Sequence, residues 1–231
     1  MLSQGEVIGM VNTKTRPQDV VLCAAGSLPG DLHKLWRTRD ARGYHLEYGY
    51  SCMGYEIAGG LGVAMADPAR EVYVMVGDGS FLMMHTEIVT MVQEGIKITI
   101  IILDNHGYAS IGGLSKSVGS DGFGTKYRYR DGSADQLTGE NIQVDFAKNC
   151  ESLGAHVIVA TDRESFSQAL EDAKAIKNKP VCIVTKTDRR ERVDGYESWW
   201  DVAVAEVSDN PDVEQARQEY EEAKKNERYH L

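Results

Sequence analysis

The fold of this chain is decided by the stretch VYVMVGDGS at residues 72–80. It begins with an uninterrupted apolar run, which is typical of a strand buried on both faces of a parallel sheet. The turn residues around Asp78 follow at once and mark the point where the strand gives way to a helix. A second apolar run ends at Asp104, directly before Asn105. Because the carboxyl ends of parallel strands meet at one edge of a sheet, we expect Asp78 and Asn105 to share one ligand.

Strand and helix patterns alternate on both sides of this unit. The predicted strands cover residues 20–24, 45–48, 72–76, 98–104, 157–160 and 181–186. The predicted helices cover residues 31–36, 55–66, 81–94, 145–153 and 162–177. A capping box at Ser3 and Glu6 predicts a further short helix, and residues 25–30 are expected to form a turn-rich loop. The alternation predicts an α/β fold, a doubly wound parallel sheet flanked by helices.

The length and the polar regions suggest how the chain is organised. With 231 residues it suffices for one α/β domain with appendages. We place the binding domain at residues 1–187 and a C-terminal extension at 188–231, with Trp199 and Trp200 as its anchor on the domain or on a partner. This extension is expected to be partly helical, over about residues 213–226.

One long internal segment, residues 105–144, is rich in Gly, Ser, Tyr and Asp and shows weak periodicity. Segments of this length inside a compact domain are usually functional or disordered. We interpret this one as a loop that covers an active site, and a plain surface excursion is the alternative.

Charge and cysteine content exclude several classes of protein. The formal net charge of −10 argues against a nucleic-acid partner or an anionic membrane, because phosphates favour clustered Lys and Arg. The four cysteines form no CxxC pair, so free thiols in a reducing cytoplasm are favoured over a zinc site or a disulfide framework. No apolar stretch approaches the roughly 20 residues that span a bilayer, and the N-terminus lacks the pattern of a secretory signal. We expect a cytoplasmic protein.

Oxygen ligands for a divalent cation come from the two strand ends. Asp78 supplies a carboxylate, Asn105 an amide oxygen, and Gly107 a main-chain carbonyl. These are the ligands that Mg²⁺ prefers, with diphosphate oxygens and water completing the octahedron. His106 lies between two of them and would border the diphosphate or the substrate.

The residues flanking Asp78 suit a diphosphate. Gly77 and Gly79 allow a sharp turn and a close approach of the backbone, and Ser80 is expected to cap the following helix, whose N-terminal amides attract anions. The alternative is a tight strand-to-helix turn with Asp78 as a cap, but the paired Asn105 argues against it. The glycines at residues 59–62 do not match a dinucleotide-binding motif, because they lie inside a predicted helix, where they indicate close packing.

The GDGS sequence at residues 77–80 and the downstream Asn105 resemble the cofactor motif of thiamine-diphosphate enzymes. The sequence SCMG at residues 51–54 is similar to a second element of that superfamily, in which a bulky apolar side chain, here Met53, props the cofactor in a bent conformation. By this resemblance, main-chain groups of Ser51 and Met53 hydrogen-bond the aminopyrimidine. A methionine that only fills the core is the alternative.

Three longer stretches resemble the trihydroxycyclohexane-dione hydrolases of inositol catabolism. They are AAGSLPGDLHKLW at residues 24–36, HLEYGYSCMGYEI at residues 45–57 and GYESWW at residues 195–200. The resemblance covers nearly the whole chain and implies thiamine diphosphate and Mg²⁺ as cofactors. It also implies that Ser27 and Leu28 lie along the diphosphate and that a cyclic 1,2-diketone is opened to 5-deoxy-glucuronic acid.

The same resemblance implies a missing partner. In this superfamily a glutamate on a separate pyrimidine-binding domain, often of another subunit, activates the aminopyrimidine. No glutamate of this chain matches that role by motif, so the catalytic residue stays unassigned and a pyrimidine-binding domain is expected in cis or in trans, within a homo- or hetero-oligomer. Two alternatives remain open, an acetolactate-synthase-like carboligase or decarboxylase with the same core motif and a non-catalytic cofactor-binding module.

Overall fold

The structure is a computed structural model, which describes residues 1–191, 193–195, 199 and 201–228. Helices and strands alternate along most of the chain. In chain order they are α1 Gln4–Lys14, β1 Val20–Cys23, α2 Ser27–Leu35, β2 Tyr44–Leu46, α3 Tyr55–Ala66, β3 Val72–Gly77, α4 Asp78–Met83, α5 Glu87–Glu94, β4 Thr99–Asp104, α6 Ala109–Ser117, α7 Phe146–Ser152, β5 His156–Ala160, α8 Arg163–Ala175, β6 Val181–Lys186 and α9 Pro211–Lys224. None of the helices in these ranges is long and apolar enough to cross a bilayer.

The six strands form one parallel sheet in the order β2-β1-β3-β4-β6-β5. The predicted doubly wound parallel sheet is therefore confirmed. From β1 the chain moves outward to β2, and from β3 it moves in the opposite direction to β4. Strand order thus reverses between β1 and β3, and the crevice beyond the carboxyl ends of these two strands is where ligands bind in such sheets.

Apolar side chains cover both faces of the sheet. In β3, Tyr73 and Met75 pack on the side of α1, α2 and α8, whereas Val72, Val74 and Val76 pack on the side of α3, α5 and α7. All five are at most 1% exposed. Burial on both faces is the physical reason for the continuous apolar runs in the sequence.

Two helices differ from their predicted extents. The predicted helix at 81–94 is interrupted, because Met84 adopts an extended conformation (φ −152°, ψ 94°) between α4 and α5. The predicted loop at 25–30 is wrong for its last four residues, since α2 already begins at Ser27. Pro29 is tolerated there because a residue in the first helical turn has no intrahelical acceptor for its N–H.

The glycines of α3 have different surroundings. A Cβ at Gly60 would overlap the side chain of Val74 in β3, so the prediction of close packing is confirmed at this position. Gly62 is exposed and a Cβ there would meet nothing within 4 Å, so the same prediction is wrong at Gly62.

The chain divides into two compact units. The first contains residues 1–107 and 143–193, and all six strands lie in it. The second contains residues 108–142 and 194–231, with α6 and α9 as its helices among the described residues. Within the second unit, Asn210 caps α9 and donates a hydrogen bond from Nδ2 to the carbonyl of Gly119 (3.1 Å).

Two predictions concern segments that overlap this second unit. The stretch at 105–144 was expected to be a loop but contains the nine-residue α6, and its role as an active-site cover stays a prediction. The predicted domain boundary at residue 187 also stays a prediction. Trp200 of the expected anchor and residues 196–198 of the GYESWW stretch lie outside the described residues.

Candidate functional site

The pairing of β3 with β4 brings the two predicted ligand loops together. Gly77 lies beside Leu103 in the sheet, so Asp78, the first residue of α4, and Asp104, the last residue of β4, follow at the same level. Asp78 accepts hydrogen bonds from the N–H of Gly107 at 2.9 Å and from the N–H of Gly79 at 3.0 Å. The loop after β4 is therefore attached directly to the carboxylate after β3.

Asn105 carries an unsatisfied acceptor at this point. Its Oδ1 is buried and has no hydrogen-bond partner among the described residues. The backbone just after it is held in a tight turn, in which His106 adopts a left-handed conformation (φ 61°) and donates its N–H to Asp104 Oδ1 (3.1 Å). A buried acceptor without a partner costs free energy, and a cation would supply the missing interaction.

The charge and burial of Asp78 also favour a bound cation. Its side chain is fully buried, and burial raises its pKa to about 7. The N–H groups of Gly107 and Gly79 oppose this rise, whereas the neighbouring Asp104 carboxylate adds to it. Two buried acidic side chains in contact favour a bound cation, because a nearby positive charge stabilises the ionised form of a carboxylate.

The donor set fits Mg²⁺. Asp78 offers a carboxylate and Asn105 a free amide oxygen, both of which are hard oxygen ligands. Among the described residues there is no group of three or more His, Cys, Asp and Glu side chains that would hold a metal ion in another way. Gly107 donates its N–H to Asp78, and its carbonyl stays the third predicted ligand.

The glycine before Asp78 borders open space. A Cβ at Gly77 would meet nothing within 4 Å, so a group can approach the backbone closely at the carboxyl end of β3. Ser80, by contrast, does not cap α4 as predicted, because Gly77 occupies the cap position without a side-chain hydrogen bond. Ser80 is only 4% exposed, and its hydroxyl is engaged with Glu56 and Gly54.

The start of α2 lies after β1, on the other side of the crevice between β1 and β3. Gly26 occupies its N-cap in a conformation that favours glycine (φ 88°, ψ −150°) and provides no side-chain cap. Leu28 packs in the core, and the Ser27 hydroxyl bonds to Gln4. Any contact of these two residues with a diphosphate therefore falls to their main-chain N–H groups. Such amides are suited to an anion.

The loop at residues 51–54 is held by a carboxylate. Glu47 accepts hydrogen bonds from the N–H of Cys52 (2.8 Å) and the N–H of Tyr50 (3.2 Å). Ser51 is exposed and adopts a left-handed conformation (φ 51°). Met53 is half-buried and belongs to neither of the two core clusters, which speaks against the alternative of a pure core residue.

Two residues of the site were not anticipated. Asp104 ends the apolar run of β4, and its side chain lies against that of Asp78. The sequence signal for it was its position directly before Asn105. Glu56 is fully buried in the first turn of α3 and bonds to Ser80. Its signal was equally plain, because it is the one charged residue in the helix sequence YEIAGGLGVAMA.

Comparison with known proteins identifies relatives along most of the chain. The 3D-(3,5/4)-trihydroxycyclohexane-1,2-dione hydrolase of Bacillus cereus (strain AH820) is 45% identical over 93% of this chain and 33% of its own length. The protein of the same name from Bacillus thuringiensis (strain Al Hakam) is 44% identical with the same coverage. The chain thus spans about a third of the length of the curated relatives it matches.

A solved structure and a family model agree with this result. The Rhodococcus jostii RHA1 thiamine diphosphate-dependent 4-hydroxybenzoylformate decarboxylase superposes with a TM-score of 0.68 at 20% identity, over 81% of this chain and 33% of that one, which shows a common fold. The model of the family "Thiamine pyrophosphate enzyme, C-terminal TPP binding domain" matches residues 24–185, a range that includes GDGS, Asn105 and the loop at residues 51–54. This chain therefore belongs to the family of C-terminal TPP-binding domains of thiamine pyrophosphate enzymes.

Proposed function

We propose that this chain is the cofactor-binding portion of a thiamine-diphosphate- and Mg²⁺-dependent hydrolase. The whole enzyme would cleave a carbon–carbon bond of trihydroxycyclohexane-1,2-dione and release 5-deoxy-glucuronic acid in inositol catabolism. The substrate assignment is supported by the 45% identity to relatives that carry this hydrolase name. The cofactor site is supported by one observation above all, the buried and unpartnered Oδ1 of Asn105 beside the loop attached to Asp78.

In this proposal the metal ligands are Asp78, Asn105 and the carbonyl of Gly107. Mg²⁺ bound there would neutralise the diphosphate and lower the pKa that burial raises at Asp78. Asp104 would not need to bind the metal, because its Oδ1 already holds the N–H of His106.

The cofactor would be held by main-chain groups on both sides of the crevice. The backbones of Gly77, Gly79 and Ser80 would approach the diphosphate from β3, and those of Ser27 and Leu28 from the start of α2. His106 would border the diphosphate or the substrate, with its side chain 30% exposed.

The aminopyrimidine side of the cofactor would be held by the loop at residues 51–54. Main-chain groups of Ser51 and Met53 would bond the aminopyrimidine, and the half-buried side chain of Met53 would prop the cofactor. Bound thiamine diphosphate supplies an electron sink for cleavage of a carbon–carbon bond. This chain would contribute binding, orientation and control of water entry at that centre.

The activating glutamate would come from a pyrimidine-binding domain outside the matched third of the relatives. Glu56, the buried glutamate nearest to the proposed site loops, already bonds Ser80, Gly54 and Ala25 through both of its oxygens. We therefore propose that a pyrimidine-binding domain, in cis or in trans, completes the site within an oligomer. A reducing cytoplasm suits the free cysteines, of which Cys52 is exposed.

Calorimetric titration of the chain with thiamine diphosphate tests the cofactor site. We expect saturable binding with Mg²⁺, loss of binding with EDTA, and no binding of thiamine without its diphosphate. Binding that is equally strong in EDTA would contradict the metal site.

The reaction is tested by combining the chain with the remaining two thirds of a dione hydrolase. Ring opening of the dione is expected, and consumption of pyruvate instead would support the carboligase alternative.

A further inference from the structure

Glu56 is a buried carboxylate that connects three separate segments of the candidate site. Its Oε1 accepts the N–H of Ala25, two residues after β1 (3.3 Å), and its Oε2 accepts the N–H of Gly54 (3.0 Å). The hydroxyl of Ser80 in the GDGS sequence lies 2.7 Å and 2.9 Å from the two oxygens. Glu56 is completely buried, with 0% of its surface exposed.

The direction of these hydrogen bonds is determined by the groups involved. A carboxylate only accepts, so the single hydrogen of the Ser80 hydroxyl points to Glu56. The oxygen of Ser80 then accepts the N–H of Gly54, at 2.8 Å. The single N–H of Gly54 is thus shared between Glu56 and Ser80, which itself bonds Glu56, and the loop at residues 51–54 is attached to the GDGS sequence.

This arrangement has a cost that a purely structural role does not explain. Burial raises the pKa of Glu56, because a carboxylate loses its hydration inside the protein. An apolar residue at this position of an otherwise apolar helix would avoid that cost. The network instead fixes the relative position of two loops that approach the crevice from different strands.

We propose that Glu56 is a positioning residue, which holds the loop at residues 51–54 at a fixed distance from the Asp78 loop before the cofactor binds. This inference rests on the proposed function, in which the first loop contacts the aminopyrimidine and the second the diphosphate. A ligand that spans both loops gains affinity when their spacing is preset, because less freedom is lost on binding. A ligand that reaches only one loop gains nothing from it.

Two ligands separate these cases, thiamine diphosphate and inorganic pyrophosphate, each titrated with Mg²⁺ by calorimetry. The variant Glu56→Gln keeps the size of the side chain but places an NH₂ group among N–H donors. We expect its affinity for thiamine diphosphate to fall about tenfold, in line with the loss of one charge-assisted hydrogen bond. Its affinity for pyrophosphate is expected to stay within about twofold of that of the wild type, since the proposed Mg²⁺ ligands Asp78, Asn105 and Gly107 are retained.

Two further variants test whether the effect is specific to the hydrogen-bond network of Glu56. Asp19→Asn alters another buried carboxylate (4% exposed), which bonds Arg16 before β1, at the opposite edge of the sheet from the candidate site. It should leave the ratio of the two affinities unchanged. Ser80→Ala removes the link from Gly54 to Glu56 that runs through Ser80 and leaves the direct hydrogen bond in place. It should lower the affinity for thiamine diphosphate in the same direction as Glu56→Gln, and the double variant should lose no more than Glu56→Gln alone.

A third measurement needs no cofactor. Amide hydrogen exchange of Gly54 in the ligand-free chain should accelerate in Glu56→Gln and not in Asp19→Asn, because the carboxylate holds that N–H. Equal losses of affinity for both ligands, or unchanged exchange at Gly54, would overturn the positioning role. If the wild type binds neither ligand, the proposed function fails, and the exchange at Gly54 still decides whether Glu56 holds the loop.

Discussion

Gly107 donates its main-chain N–H to Oδ2 of Asp78 at 2.9 Å, which joins the loop after β4 to the loop after β3. Two positions earlier in the chain, Asn105 presents a buried oxygen without a partner among the described residues. The contact therefore places a carboxylate and an amide from neighbouring strands at one edge of the sheet. This relationship is the basis of the proposed Mg²⁺ site.

Replacing Asp78 tests the metal site most directly. We expect Asp78→Ala to abolish Mg²⁺-dependent binding of thiamine diphosphate, because the only carboxylate among the three proposed ligands is removed. The fold should be retained, since removing a carboxylate that is costly to bury leaves the apolar core intact. Calorimetry with and without Mg²⁺ provides the measurement, with exposed Asp172→Ala on α8 as the control. Binding of unchanged strength in Asp78→Ala would contradict the site.

Gly77 offers a test that separates binding from folding. A Cβ at this position meets open space, and its backbone (φ −74°, ψ 151°) suits alanine. Gly77→Ala should therefore leave the free energy of unfolding unchanged or raise it by about 0.4–1 kcal/mol. Cofactor affinity should nevertheless fall, because the methyl group occupies the space through which the diphosphate approaches. A variant that binds as tightly as the wild type would show that the diphosphate does not lie there.

Met53 is expected to act on the cofactor rather than on the core. Met53→Ala should lower the turnover of the assembled enzyme about tenfold or more, through loss of cofactor orientation. Diphosphate binding should change much less, since the proposed Mg²⁺ ligands are intact. Turnover and calorimetric affinity are compared with those of Met65→Ala, an exposed methionine on α3. Parallel losses in both quantities would favour plain packing.

The glycines of α3 predict opposite effects on stability. Gly60→Ala should destabilise the chain by about 1–3 kcal/mol, because the new methyl group overlaps Val74. Gly62→Ala should stabilise it by about 0.5–1 kcal/mol, because the position is exposed and alanine favours the helix. Urea unfolding of both variants measures the difference. The same sign for both substitutions would disprove the packing of Gly60 on the sheet.

Acid should weaken one ion pair far from the candidate site. Burial raises the pKa of Glu71, but the contacts with Lys97 and Lys177 outweigh it, and the net pKa lies below its usual value of 4.5. A carboxyl whose pKa is lowered by folding stabilises the protein above its unfolded pKa, and this contribution is lost as the pH falls through the folded pKa.

The corresponding variant is Glu71→Gln. At pH 7 its melting temperature should be below that of the wild type, because Lys97, whose side chain is only 5% exposed, loses its partner. The gap should narrow as the pH falls below about 4.5, where the wild-type carboxyl also becomes neutral. Thermal unfolding between pH 7 and pH 3 follows this gap, with exposed Glu94→Gln as the control. A gap that is constant over this range would exclude the ion pair as its cause.

Local signals sufficed for the strands but not for every helix. All six strands were predicted within a few residues, because each is an apolar run bounded by turn residues. The interruption at Met84 had no local signal, since that residue packs beside Gly54, which is distant in the sequence. The helix α6 was missed because its sequence ASIGGLSKS contains two glycines and lacks a regular apolar period.

The sequence by itself determined the parallel α/β architecture and the pair of strand ends at Asp78 and Asn105. It did so because apolar runs, glycine turns and polar residues directly after them are local features of the chain. Only the tertiary structure decided that Ser80 bonds Glu56 and Gly54 instead of capping its helix, and that Gly107 closes on Asp78. These contacts join residues that are far apart in the sequence, and strand register and helix packing, which no local pattern encodes, bring them within hydrogen-bond distance.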